Sequence, residues 1–166
     1  MAAANEKLRA SSDLVQSGRT ASVVRAGPGY RADQGSDYVP GISAETVGAE
    51  ALWLGFVTLP PGRRTKAHVH ARHETAFYHV SGAEIELWSG DELEHKDLVR
   101  PGDYLFIPAN VLHVAVNRGG EPAVLIGSRN EPTAQESVVL RPEMDSRVPR
   151  RRRSVAPSTS RKQPWR

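Results

Sequence analysis

Five of the six histidines in this 166-residue chain, His68, His70, His73, His79 and His113, fall within runs of β-forming residues. His68 and His70 stand two apart, and alternate residues of a strand share one face. Glu74 opens the next run, where one turn of chain would bring its carboxylate toward the two imidazoles. His113 adds a nitrogen from a strand pair further on. Imidazoles with one carboxylate suit Fe, Mn, Co, Ni, Cu or Zn, and disfavour Ca and Mg, which want all-oxygen shells. The chain has no cysteine, so it can form no disulfide, thiolate zinc cluster or cysteine nucleophile. Any metal must rest on nitrogen and oxygen.

The elements that must position these groups are short. Between Thr46 and Leu140 the runs are 51–59, 65–70, 75–81, 84–88, 97–99, 104–107, 112–116, 123–128 and 137–140, punctuated by PPG, SG, RPGD, PAN and NRGG turns. Short strands with turns about every ten residues predict an all-β antiparallel sandwich or barrel. Three segments are expected: an irregular N-terminal extension and loop over 1–45, a β-barrel domain over 46–145, and a disordered basic tail over 146–166. Ala4 to Val15 could form a frayed helix, and 27–45 reads as a turn-rich loop without a site. Arg147, Arg150, Arg151, Arg152, Arg153, Arg161, Lys162 and Arg166 exceed the formal charge of +3, which leaves residues 1–146 at −5. No aromatic residues interleave the arginine run, so specific nucleic-acid binding is not expected, although the tail can bind polyanions loosely. No apolar stretch approaches the roughly 20 residues that span a bilayer, and a soluble cytoplasmic protein is expected.

The segment PGRRTKAHVHARHETAFYHVSG resembles the first motif of the cupin superfamily, G-x5-H-x-H-x(3,4)-E-x6-G, at Gly62, His68, His70, Glu74 and Gly82. GDYLFIPANVLHVAVN resembles the second, G-x5-P-x-G-x2-H-x3-N, at Gly102, Pro108, His113 and Asn117. The pattern and its compact spacing are similar to small bacterial single-domain cupins. The resemblance implies a single jelly-roll β-barrel with a divalent transition metal, Fe, Mn, Zn or Ni, held by His68, His70, Glu74 and His113. Asn117 closes the second motif without being a ligand.

Two positions depart from the pattern. Counting back from Gly82 puts Thr75 in the glutamate position, whereas counting forward from His70 puts Glu74 there. A bulge near 80–82 would reconcile the counts, and Glu74 is preferred because a carboxylate completes the site, with His73 in reserve. Asn110 replaces the glycine of the second motif, a mild change because Asn tolerates left-handed backbone.

His73, Tyr78 and His79 are the candidates for a second, catalytic titratable group. Packing is the simpler role for Tyr78 and His79, as it is for Trp53 and Trp88. His95 reads as a solvated residue. Glu84 and Glu86 share a solvent face opposite Ile85 and Leu87, which is no glycosidase pair. The inner wall is expected from residues such as Phe77, Tyr104, Phe106 and Val114; whether Tyr104 and Phe106 or Leu105 and Ile107 turn inward stays open.

The resemblance supports a metal-dependent small-molecule enzyme, of dioxygenase, isomerase, lyase, decarboxylase or cyclase type. A non-catalytic sugar-binding or sensor barrel is the alternative. A purely structural barrel is disfavoured because such members tend to lose the ligands kept here. Small cupins commonly pair, and the unalternating apolar run ALWLGFV at 51–57 reads as covered on both faces, so a homodimer is expected.

Overall fold

The computed structural model describes residues 20–135 and 137–149. Eleven strands form two antiparallel sheets: β1 (Tyr30–Arg31), β2 (Asp37–Ile42), β3 (Trp53–Leu59), β4 (His68–His70), β5 (Thr75–Gly82), β6 (Ile85–Ser89), β7 (His95–Val99), β8 (Tyr104–Ile107), β9 (His113–Asn117), β10 (Ala123–Arg129) and β11 (Val138–Leu140). The order is β1-β2-β3-β10-β5-β8 in one sheet and β11-β4-β9-β6-β7 in the other. This is the expected all-β jelly roll. No helix among the described residues is long and apolar enough to cross a membrane.

Alternation sets the core. On β3 the residues Trp53, Val57 and Leu59 turn inward, and on β10 Ala123, Leu125 and Arg129 do so. Leu59, Leu125, Ile85, Leu87, Val99 and Ile107 close one end of the sandwich as a continuous apolar cluster. Burying side chains of this size contributes about 1.5–3 kcal/mol each. Gly82 has φ +93°, and a Cβ there would stand 1.8 Å from the Pro122 carbonyl oxygen, so glycine is required. Asn110 takes the left-handed conformation, φ 61°, that the second motif assigns to glycine.

Three expectations are corrected. Residues 27–45 are not merely a loop: β1 and β2 extend the six-stranded sheet, and Tyr38 buries its ring 5.5 Å from that of Trp53. Pro40 and a register shift between Pro40 and Ile42 interrupt β2, which hides its alternation in the sequence. The basic tail does not begin at 146. Val148 is 1% exposed and packs with Ala67, Leu93, Val114 and Val116, while Arg64 donates to the carbonyls of Asp145 and Val148. The inner wall takes Phe77, Leu105 and Ile107, whereas Tyr104 and Phe106 face outward and Val114 is buried beneath the C-terminal segment. The proposed helix at Ala4 to Val15 and residues 150–166 lie outside the described residues.

Candidate metal centre

β4 turns His68 and His70 to the inner face and Val69 to the outer one, as period two requires. His68 is the direct cross-strand partner of His113 on β9, and residues so paired project side by side from one face. Ring centroids are 5.2 Å apart for His68 and His70, 4.1 Å for His68 and His113, and 4.8 Å for His70 and His113. One nitrogen from each lies within 4.8 Å of the other two.

The hydrogen bonds decide which nitrogen that is. Nδ1 of His68 is 2.8 Å from the Lys66 carbonyl, Nδ1 of His113 is 2.9 Å from the Val111 carbonyl, and Nδ1 of His70 is 2.8 Å from Thr75 Oγ1. A carbonyl only accepts, so His68 and His113 carry their proton on Nδ1 and leave the Nε2 lone pair free. Thr75 Oγ1 can accept from His70 in the same sense. Burial pushes all three imidazoles below the usual histidine range, His113 to about 4, and the charge that each would place on its neighbours adds to the effect at His68 and His70. They are neutral at pH 7 and therefore fit to ligate.

Glu74 is not part of this group. It is exposed, its backbone N–H is held by Asn130 Oδ1 at 2.9 Å, and its side chain lies on the outer surface with Ala76 and Phe106. Thr75, Phe77 and His79 take the inward positions on β5. The expected bulge exists, since Val124 and Leu125 face Ser81 and His79 and leave Val80 unpaired. It lies beyond His79 and therefore cannot turn Glu74 inward. The count from Gly82 is the valid one, and Thr75 stands where the motif has glutamate.

The candidates for a catalytic group separate as well. Tyr78 faces outward against Tyr104 and is no candidate. His79 is fully buried, with its ring nitrogens 3.2 Å from the carbonyls of Val99 and Ser81, and does not line the cavity beside the three histidines. His73 stacks on His70 at 4.4 Å, with Nδ1 2.5 Å from Glu131 Oε2 and 2.9 Å from Ser137 Oγ. It braces His70 from behind. Asn117 bonds the carbonyls of Leu59 and Glu121 and the Gly119 N–H, so it shapes the turn after β9.

The three histidines open on a cavity of about 50 Å³ lined otherwise by Phe77, Leu105, Ile107 and Leu125, with Gln34, Ser36, Tyr38 and Thr65 as further polar members. That is well above the roughly 10–15 Å³ a cavity needs to admit a single water, so it has room for a small molecule. Gln34, Ser36 and Tyr38 come from the segment read as a siteless loop. Only the apolar pair Tyr38-Val39 within it signalled a strand.

The donor set fits a divalent transition metal: three neutral imidazoles, each oriented through its far nitrogen, with no fixed negative charge among the ligands. The comparisons agree with the fold. Residues 55–127 match the family described as Cupin domain. This barrel is a cupin domain. An uncharacterized conserved protein with a double-stranded β-helix domain from Klebsiella pneumoniae matches with TM-score 0.53 at 19% identity, covering 75% of this chain and 97% of that one. An oxalate decarboxylase from Lactobacillus farciminis, in a formate complex, matches with TM-score 0.55 at 20% identity over 68% of this chain and 33% of that one. A sugar phosphate isomerase from Silicibacter pomeroyi matches with TM-score 0.50 at 19% identity over 65% and 71%. A search of curated proteins gives no match.

Proposed function

We propose that this cupin is an enzyme that uses one divalent transition metal, Fe, Mn, Zn or Ni, to act on a small oxygen-bearing molecule. One observation carries the reading: one ring nitrogen from each of three buried imidazoles lies within 4.8 Å of the other two, while every Nδ1 stands beside an oxygen partner. A metal bound there supplies Lewis acidity at open coordination positions. The chain's own residues do the rest. His68, His70 and His113 hold the ion, Thr75 and His73 fix the plane of His70, and the apolar wall of Phe77, Leu105, Ile107 and Leu125 keeps water from the reacting atoms. With Thr75 in place of a carboxylate, a divalent ion keeps its full charge, which favours a carboxylate or enolate oxygen as ligand.

The fold does not choose the reaction, since a decarboxylase and an isomerase share it. Elemental analysis of protein produced with Fe, Mn, Zn and Ni available is expected to give about one metal per chain. Oxygen uptake and turnover screened over small acids and catechols then name the reaction. Absence of stoichiometric metal overturns the proposal, and ligand binding without turnover selects the sensor alternative.

We also propose a homodimer, with a second copy on the outer face of the six-stranded sheet. Register places Phe56, Ile126, Tyr78 and Tyr104 in one row across β3, β10, β5 and β8, with Leu54 and Phe106 beside it. No charged side chain of these four strands lies on that face, and Tyr104 is 84% exposed. Light scattering is expected to give twice the 18.1 kDa chain mass, and Phe56→Glu to restore the monomer.

A further inference from the structure

Gln34, Tyr38 and Arg129 form a line of buried polar groups running from a cation to the cavity. Arg129 is 2% exposed and pairs across the sheet with Trp53 and Thr75, so it shares their inward face. Its guanidinium lies 4.7 Å from the Trp53 ring and 5.5 Å from the Tyr38 ring. It donates through Nη1 to the Ala134 carbonyl and through Nη2 to Tyr38 Oη at 3.3 Å, and among the described residues no carboxylate forms an ion pair with it. An unpaired buried cation costs several kcal/mol and favours negative charge nearby.

Gln34, 1% exposed, lines the same cavity as the three histidines. Its Nε2 stands 2.7 Å from Tyr38 Oη, and its Oε1 is buried without a hydrogen-bond partner. In this orientation Tyr38 Oη receives two donors and has no acceptor for its own proton. Arg129 has only hydrogens to give. Turning the Gln34 amide by 180° lets Tyr38 donate to Oε1 and leaves the two Nε2 hydrogens without a partner on a residue that lines the cavity. Tyr38 and Oε1 then each meet a partner of the right polarity, and the groups left unmet, the Gln34 amide hydrogens and the buried Arg129 Nε–H, are all donors.

We propose that Gln34, so turned, is a specificity residue: its Nε2 donates to an oxygen of a small carboxylate held at the three-imidazole site, and Arg129 acts through Tyr38 as the positioning group. The proposal rests on the metal reading above. A donor suits a ligand oxygen and cannot ligate a metal ion, which separates this role from that of a fourth ligand.

Cobalt(II) loaded into the full-length protein gives a visible absorption band that reports both occupancy and ligand exchange. The probes are acetate, small enough for the cavity, and its neutral counterpart acetamide. The wild type is expected to prefer acetate. Gln34→Leu is expected to weaken acetate binding about tenfold or more, the usual value of one hydrogen bond to a charged group, with cobalt affinity little changed. Gln34→Glu, of the same size, is expected to weaken acetate further by repulsion. Tyr38→Phe keeps the ring against Trp53 and is expected to lose part of the acetate affinity with the cobalt band of the ligand-free protein unmoved. These two near-isosteric variants decide the matter if Gln34→Leu does not fold. Acetate binding indifferent to all three variants overturns the proposal, as does an equal loss of acetate and acetamide. Tighter cobalt in Gln34→Glu with loss of cobalt in Gln34→Leu makes Gln34 a metal ligand instead. Failure of the wild type to take up cobalt overturns the metal reading and this inference with it.

Discussion

The two walls of the cavity are built on different length scales. On the wall formed by β4 and β9, His68 and His113 are each oriented by a carbonyl two residues back, in the lead-in to the strand. On the opposite wall, Tyr38 and Arg129 meet across 91 positions of sequence. The first wall is a local device that needs only a strand and its lead-in. The second exists only when β2, β3 and β10 have paired. Residues that act through their own lead-in can be written in two short motifs, whereas a contact between β2 and β10 cannot.

The largest effect is expected at the local wall. Replacing His68 and His70 together by Ala is expected to abolish stoichiometric metal, read by elemental analysis of the purified protein, while the long-range wall keeps the barrel folded. Thr75→Val removes only the oxygen that faces His70 Nδ1 and is expected to lower metal affinity about tenfold, as loss of an outer partner to a ligating histidine does. Glu74→Gln should leave metal content unchanged. A loss of metal in that variant would restore Glu74 as a ligand.

Acid tests the same wall through stability. The folded-state pKa of His113 lies below its unfolded value near 6.5, at about 4, so the unfolded chain binds more protons in this interval. Its contribution is complete above pH 6.5 and is lost as pH falls toward 4, an effect of about 3 kcal/mol from His113 in the metal-free protein. His68 and His70 shift in the same direction and extend the loss to lower pH. Urea midpoints of metal-free protein between pH 7 and pH 4 measure it, and a flat profile would mean that the imidazoles are not buried neutral.

The C-terminal segment gives the smallest effects and sharpens the boundary between packed chain and appendage. Ending the chain after Ser146 removes buried Val148 and one acceptor of Arg64, at an expected cost of about 2 kcal/mol. Ending it after Pro149 removes seven positive charges and is expected to cost under about 0.5 kcal/mol while leaving metal content intact. Loose binding to DNA should fall with that second truncation, as should its steep salt dependence in the intact chain. Equal losses from both truncations would place the boundary elsewhere.

Local pattern was enough for an all-β antiparallel sandwich or barrel, most strand positions and the three imidazoles, because period two and the two-residue spacing of His68 and His70 act within a few residues; the jelly roll followed from the resemblance of the two motifs to cupins. The sequence also determined that any metal lacks thiolate ligands, since no cysteine is present. The choice between Glu74 and Thr75 was left to tertiary pairing: the phase of β5 is set by its partners β10 and β8, which no count along the chain records. Tertiary structure likewise decided that Leu105 and Ile107 turn inward, which alternation alone leaves as an even choice between two faces. The capture of Gln34 and Tyr38 for the cavity was illegible for a third reason. β2 is broken by Pro40, and what draws it into the sheet is the burial of Tyr38 against Trp53 and Arg129, partners that no local pattern in the chain records.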